Sequence, residues 1–178
     1  DLHENEVGDP RYREFLSRLA EPLLERLEPG SRGLDYGCGP GPALAAMLRE
    51  AGHSVELYDP QYVADPRVLE RQYDFITCSE VVEHFHRPAD EFERLVGMLR
   101  DDGWLGLMTA FRPTGRDFRR WYYRRDPTHV VFYQPQTFRV LASDHGLTCV
   151  LAEDDVVLLR KVRGPWSPGP GGGTLPLA

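Results

Sequence analysis

The 178-residue chain is expected to fold as an α/β domain: a doubly wound, mostly parallel sheet that closes on an antiparallel C-terminal hairpin. Three observations carry this expectation. Gly33-Leu34-Asp35-Tyr36-Gly37-Cys38-Gly39-Pro40-Gly41-Pro42 reads as a buried strand running into a glycine-rich turn and then a helix. Short apolar runs alternate with stretches of three- and four-residue periodicity as far as Gly146. The last two apolar runs, 148–152 and 156–162, follow each other with no helix between them, so they pair as a hairpin.

Asp9-Pro10 places an N-cap before a proline at the first helical position, and Tyr12, Phe15, Leu16, Leu19, Leu23, Leu24 and Leu27 then recur at helical spacing. Residues 1–30 thus read as a helical cap that covers a sheet edge. Pro22 is expected to kink or divide the helix and Glu28-Pro29-Gly30 to stop it, while the polar lead-in Leu2-His3-Glu4-Asn5 frays. After the glycine turn, residues 43–51 make a short helix closed by Gly52, and residues 54–58 alternate as a second strand ending in Asp59-Pro60. Residues 61–72 leave room for a very short helix and a third strand around Arg67-Val68-Leu69.

Residues 73–78 are a buried strand, and Ser79-Glu80-Val81-Val82-Glu83-His84-Phe85 follows as a turn or short helix. Residues 88–99 form the next helix, 104–111 a fifth strand and 135–146 another helix. Between these last two, residues 112–134 lack periodicity and mix six arginines with Phe118, Trp121, Tyr122 and Tyr123; an insertion this long in a compact domain is usually functional. Residues 163–178 form a Pro/Gly-rich tail, with nine Gly or Pro among the last fifteen positions.

The glycine turn carries the first chemical signal. Glycines at positions 37, 39 and 41 let the backbone approach a ligand where a Cβ would clash, and the following helix offers unpaired N–H groups. A dinucleotide fingerprint counted from Gly37 needs a third glycine at position 42, which is Pro, so a nicotinamide oxidoreductase is disfavoured. Asp59, eighteen residues after Gly41, stands where a strand-tip carboxylate accepts hydrogen bonds from ribose hydroxyls.

Composition sets the remaining bounds. A net charge of −7 argues against broad nonspecific binding to DNA, RNA or an anionic membrane, although a local patch can still be basic. No apolar run approaches membrane-spanning length and no signal segment opens the chain, so it reads as soluble and cytoplasmic. Cys38, Cys78 and Cys149 lie far apart with no C-x-x-C spacing and read as reduced thiols.

With Asp35-Tyr36-Gly37-Cys38-Gly39-Pro40-Gly41, Tyr58-Asp59-Pro60 and Asp74-Phe75-Ile76-Thr77 in order, the chain resembles the class I S-adenosylmethionine-dependent methyltransferases over about residues 30–162. The resemblance implies a Rossmann-like, seven-stranded sheet filling residues 31–162, with S-adenosylmethionine across the ends of its first strands. Asp35, Gly37, Cys38, Gly39 and Gly41 would then flank the methionyl part, Asp59 would hold the ribose, and Cys78 and Ser79 would pass close to the methyl-bearing sulfur. The compressed third strand is a departure from the family pattern: it leaves no obvious acidic residue to bond the adenine amine, with Asp65 only a weak candidate.

Within that superfamily, Glu80-Val81-Val82-Glu83-His84 is similar to the E-x-x-E-H turn of metal-assisted O-methyltransferases acting on ubiquinone precursors and on the 3′ ribose of small RNAs. On a helix, positions i, i+3 and i+4 share a face, so Glu80, Glu83 and His84 would converge and can bind a divalent ion. In the small-RNA enzymes a histidine after the fifth strand completes the site, and His129 occupies a comparable place. Such ligands suit Mg²⁺, Mn²⁺ or Fe²⁺. His84, His129 and Glu80 are the candidate proton acceptors. The basic aromatic segment, with Arg119, Trp121, Tyr122 and Arg124, is the expected substrate lid. The resulting expectation is methyl transfer to a hydroxyl or other heteroatom of a small anionic molecule. RNA methylation and a non-catalytic methyltransferase-like binding domain are the alternatives.

Overall fold

The computed structural model describes residues 7–115 and 118–163. The lead-in Leu2-His3-Glu4-Asn5 and the tail beyond residue 163 therefore lie outside the described residues. Helices α1 (Pro10–Leu24), α2 (Ala43–Glu50), α3 (Pro88–Met98) and α4 (Pro135–Asp144) flank a sheet of β1 (Arg32–Tyr36), β2 (Ser54–Tyr58), β3 (Tyr73–Ser79), β4 (Leu99–Met108), β5 (Leu147–Glu153) and β6 (Val156–Lys161). The strand order is β2-β1-β3-β4-β6-β5. The first four strands run parallel, and β6 is antiparallel to both β4 and β5. The doubly wound sheet and its terminal hairpin thus form as the sequence predicts.

Among the described residues the sheet has six strands, against the seven that the resemblance implies. Arg67-Val68-Leu69 is not a strand but part of a 3₁₀ turn, Pro66–Glu70. Its cause is local. The Asp65 carboxylate accepts from the Arg67 backbone N–H at 3.0 Å and from the Arg67 guanidinium, and Pro66 fixes the first helical position. These bonds occupy the Asp65 side chain as a cap and hold its carboxyl down to about 2.

Alternation along the strands sorts the core into two layers. Phe75, Met108, Val156 and Leu158 face α1 and α2, whereas Ile76, Cys78, Leu105, Leu107, Val157 and Leu159 face the layer that holds Phe92 and Leu95 of α3 and Phe138 of α4. Helix α1 starts at the Asp9 cap, which accepts from the Arg11 N–H at 2.9 Å, and buries Leu16, Leu19, Ala20 and Leu23. Each leucine contributes roughly 1.5–3 kcal/mol by burial. This stripe holds the helix together through Pro22, which neither divides it nor ends it; the helix stops at Leu24, ahead of the expected Glu28-Pro29-Gly30. Gly33 is required for packing, because a Cβ there would lie 2.1 Å from the Phe75 ring.

The chain leaves β1 to pair β2 on one side of it and later returns to pair β3 on the other. Such a switch point opens a crevice beyond the carboxyl ends of the strands, and both sequence motifs lie there.

Candidate active site

The glycine turn follows β1 directly. Gly37 and Gly39 take φ of +78° and +62°, conformations that L side chains rarely adopt. A Cβ on Gly37 would also lie 2.5 Å from a Val81 methyl, whereas one on Gly39 would meet nothing within 4 Å. The Gly37 N–H donates to the Tyr58 carbonyl at 2.7 Å, and the Gly39 N–H donates to Asp59 Oδ2 at 3.1 Å. Asp59 Oδ1 accepts from the Gln61 and Tyr62 amides at 2.8 and 3.1 Å, so the acid at the second strand tip is joined to the turn.

A small cavity beside the turn is lined by Asp35, Gly37, Cys38, Gly41 and Ser79, with Tyr12 and Leu16 of α1 closing it. Among the described residues the Ser79 hydroxyl is one of two buried side-chain groups without a hydrogen-bond partner, the other being His53 Nδ1. A backbone cradle with room beside Gly39 and an unpaired hydroxyl below it suits a polar cofactor. Asp35 is buried and accepts from Thr77 Oγ1 at 2.8 Å; burial pushes its carboxyl up to about 6. Burial likewise pushes the Cys38 thiol up to about 12, with Asp35 and Asp59 adding to the shift. Cys78 points away into the core layer, leaving Ser79 as the polar side chain of that pair.

The second motif is the turn of the two forms expected, and it lacks the helical face on which Glu80, Glu83 and His84 would converge. Glu80 has φ +54° and continues the β3–β4 pairing, its N–H donating to the Met108 carbonyl at 2.8 Å; only Val82–His84 forms a 3₁₀ turn. Glu83 is nonetheless completely buried, held by Thr109 Oγ1 at 2.9 Å and by the Tyr123 hydroxyl. Its backbone carbonyl accepts from the amides of Val130 and Val131, which fastens the segment after strand β4 onto this turn. His129 arrives on that segment, and its ring meets the His84 ring edge-on at a centroid distance of 4.8 Å.

Each imidazole Nδ1 faces a backbone carbonyl, His84 that of Thr128 at 3.0 Å and His129 that of Tyr123 at 2.7 Å. A carbonyl only accepts, so both rings carry a proton on Nδ1, which leaves Nε2 as the atom through which a neutral ring would bind a metal. One ligand atom from each of Glu83, His84 and His129 lies within 4.8 Å of the others, a donor set of one carboxylate and two imidazoles that fits a divalent ion. Glu80 stands outside this set and reaches it through Tyr123, whose hydroxyl is 3.1 Å from Glu80 Oε2. Burial and the neighbouring Glu83 push the Glu80 carboxyl up to about 8. The Tyr123 hydroxyl faces Glu83 Oε1 as well as Glu80 Oε2, so one phenol joins the two carboxyls.

The expected lid residues divide into two groups. Trp121 packs against Phe118, Tyr123 and Phe132, while Arg124 lies over the Phe118 ring at 5.6 Å and donates to the Arg119 carbonyl at 3.2 Å. These contacts tie residues 118–132 to one another. Arg119 is exposed, and Tyr122 is 68% exposed with its ring edge on Tyr123. The sequence reading omits Tyr123 and Thr109 from the site. Only the lid's aromatic content marks the first, and a strand-end position the second.

Crevice, cradle and strand-tip acid together define a class I S-adenosylmethionine-dependent methyltransferase domain. The chain belongs to the methyltransferase domain family, which matches residues 9–152. Among curated proteins it is similar to the ubiquinone biosynthesis O-methyltransferase of Aeromonas salmonicida, at 28% identity along 106 aligned positions covering 47% of this chain and 44% of the relative. The chain therefore spans less than half the length of that relative. Among solved structures it is similar to magnesium protoporphyrin IX methyltransferase from Synechocystis (TM-score 0.63, 16% identity, 84% of this chain and 83% of that one). It is also similar to 1,6-didemethyltoxoflavin-N1-methyltransferase from Burkholderia thailandensis (TM-score 0.60, 22% identity, 86% and 80%). At these identities the structural likeness shows the fold.

Proposed function

We propose that the chain transfers the methyl group of S-adenosylmethionine to a hydroxyl of a small anionic molecule, with a divalent ion held by Glu83, His84 and His129. The observation that carries this reading is the convergence of one buried carboxylate and two imidazoles, each ring turned with its Nδ1 to a backbone carbonyl, at the crevice that holds the glycine turn. When bound, the cofactor supplies an electrophilic methyl and the ion lowers the pKa of a nearby hydroxyl.

The protein's share of the chemistry is positioning and proton management. Gly37, Gly39 and Gly41 form the cradle, Asp35 and Ser79 line it, and Asp59 takes the ribose hydroxyls. In-line transfer needs the acceptor oxygen about 3 Å from the methyl and water excluded, the work of the lid over the crevice. With both imidazoles given to the ion, Glu80, which stands outside that set, takes the proton released as the acceptor oxygen gains its methyl. Arg119, Arg124, Trp121 and Tyr122 select an anionic, planar acceptor from the lid.

The reading is tested by calorimetry with S-adenosylhomocysteine and by transfer of labelled methyl from S-adenosylmethionine to caffeic acid, an anionic catechol, with Mn²⁺ or with chelator. Expected are binding heat and metal-dependent label on a hydroxyl. Absence of binding heat sinks the whole reading. Binding without transfer to caffeic acid, while short RNA is labelled, replaces the acceptor.

A further inference from the structure

The terminal hairpin turns in two residues, because Glu153 pairs with Val156 and only Asp154 and Asp155 lie between. Both have positive φ, +49° and +67°. Two-residue hairpin turns of this kind favour Asn, Asp or Gly at the first position and Gly at the second, so Asp155 costs conformational energy that another interaction must offset. Asp155 supplies that interaction three times over. Its carbonyl accepts from the Thr109 N–H at 3.0 Å, its Oδ1 accepts from the Phe111 N–H at 2.8 Å, and its Oδ2 lies 3.8 Å from the Arg18 guanidinium of α1. Arg18 also donates to the Asp154 carbonyl.

The position matters because β4 pairs with β6 up to Met108 and Val156, so the turn grips the residues that leave the sheet toward the lid. The Thr109 hydroxyl in turn donates to Glu83 Oε2, leaving Oε1 to Tyr123. Arg18 belongs to the helix whose Tyr12 and Leu16 close the cavity beside the glycine turn.

We infer that Asp155 is a positioning residue of the acceptor site: by fixing Thr109 and Phe111 it sets the root of the lid and the orientation of Glu83, and through Arg18 it ties that root to the helical cap. The inference rests on the proposed reading of the site, but its main test does not. Asp155→Gly suits the backbone, since glycine adopts φ +67° without strain, and it keeps the carbonyl that holds Thr109 while removing the carboxylate. Asp155→Asn tolerates the same φ and keeps a side-chain oxygen that can accept from Phe111.

Amide hydrogen exchange over residues 109–111 and 118–131 is measured for wild type and both variants, beside melting temperature and S-adenosylhomocysteine affinity. In Asp155→Gly, exchange in these segments is expected to accelerate about tenfold, the scale of one lost charge-assisted hydrogen bond, with the melting temperature nearly unchanged and cofactor affinity within about twofold. Asp155→Asn restores slow exchange. Turnover of caffeic acid by Asp155→Gly falls chiefly in kcat. Wild-type exchange in Asp155→Gly overturns the inference, and so does a uniform acceleration of all amides with a lowered melting temperature, which marks a plain structural staple. A wild-type protein that does not methylate caffeic acid counts against the proposed acceptor, and the exchange result still decides the role of Asp155.

Discussion

Tyr123→Phe isolates the atom on which most of the candidate site converges. The Tyr123 side chain is 5% exposed, and its hydroxyl touches Glu83, Glu80 at 3.1 Å and Thr109 at 3.3 Å. Burial and the two carboxyls hold its phenol far above the usual range, so it stays a donor throughout working pH. The phenylalanine variant keeps the ring contacts with Trp121 and His129 and removes one oxygen. A buried hydrogen bond to a charged partner is worth about 1.5–3 kcal/mol, and each kcal/mol shifts the melting point of a domain this size by about 2–4 °C. The variant should therefore melt about 3–12 °C below wild type. Loss of the bond also removes an influence that pulls Glu80 down, driving its carboxyl further above about 8. Differential scanning calorimetry at pH 7 reads the shift, with Tyr122→Phe as control, because that residue is 68% exposed and its variant should melt with wild type. If Tyr123→Phe also melts with wild type, the buried carboxyl pair does not depend on the phenol and the site geometry argued above fails.

Gly37→Ala meets both the Val81 methyl at 2.5 Å and an unfavourable φ, so it should cost roughly 2–3 kcal/mol and abolish S-adenosylhomocysteine binding by calorimetry. Gly39→Ala meets nothing within 4 Å and should cost only about 1 kcal/mol of backbone strain, yet still lose affinity if the cofactor lies against that position; unchanged affinity would place the ligand elsewhere. Asp35 has an ordinary pKa of 3.8 and a folded value of about 6, so the folded state holds the extra proton between those limits. Its contribution to stability is present below pH 3.8 and is lost as pH rises through 6, by roughly 3 kcal/mol. Asp35→Asn should flatten that part of the stability–pH curve in urea melts, and a slope that persists assigns it to another group. Glu83→Gln should weaken Mn²⁺ binding, read by electron paramagnetic resonance, about tenfold or more while leaving S-adenosylhomocysteine affinity in place; equal Mn²⁺ affinity removes Glu83 from the ion site.

What the sequence revealed and what it hid follow from how far along the chain each determinant reaches. Periodicity and caps are local, so β2 appears with the bounds that alternation predicts and α1 starts at Asp9-Pro10. The same cap-and-proline grammar stands at Asp65-Pro66, where it dictates a 3₁₀ turn; the strand expected there comes from the short apolar run Val68-Leu69 in the room left by residues 61–72, and Val68 is the one buried residue of the turn. The spacing of Glu80, Glu83 and His84 named the right neighbourhood but assumed helical geometry. Glu80 at φ +54° stays with the sheet, and its link to Glu83 runs through a tyrosine some forty positions away. Thr109, Tyr123 and Asp155 left no pattern because their partners are distant in sequence: Glu83 lies 26 residues from Thr109 and 40 from Tyr123, and Phe111 lies 44 from Asp155. The cofactor side is thus written in a short motif that backbone sterics impose. The proposed acceptor side is assembled by tertiary bonds that meet where β4 ends, so an exchange of residues 112–134 for another acceptor must preserve Thr109, Glu83 and the Asp154-Asp155 turn.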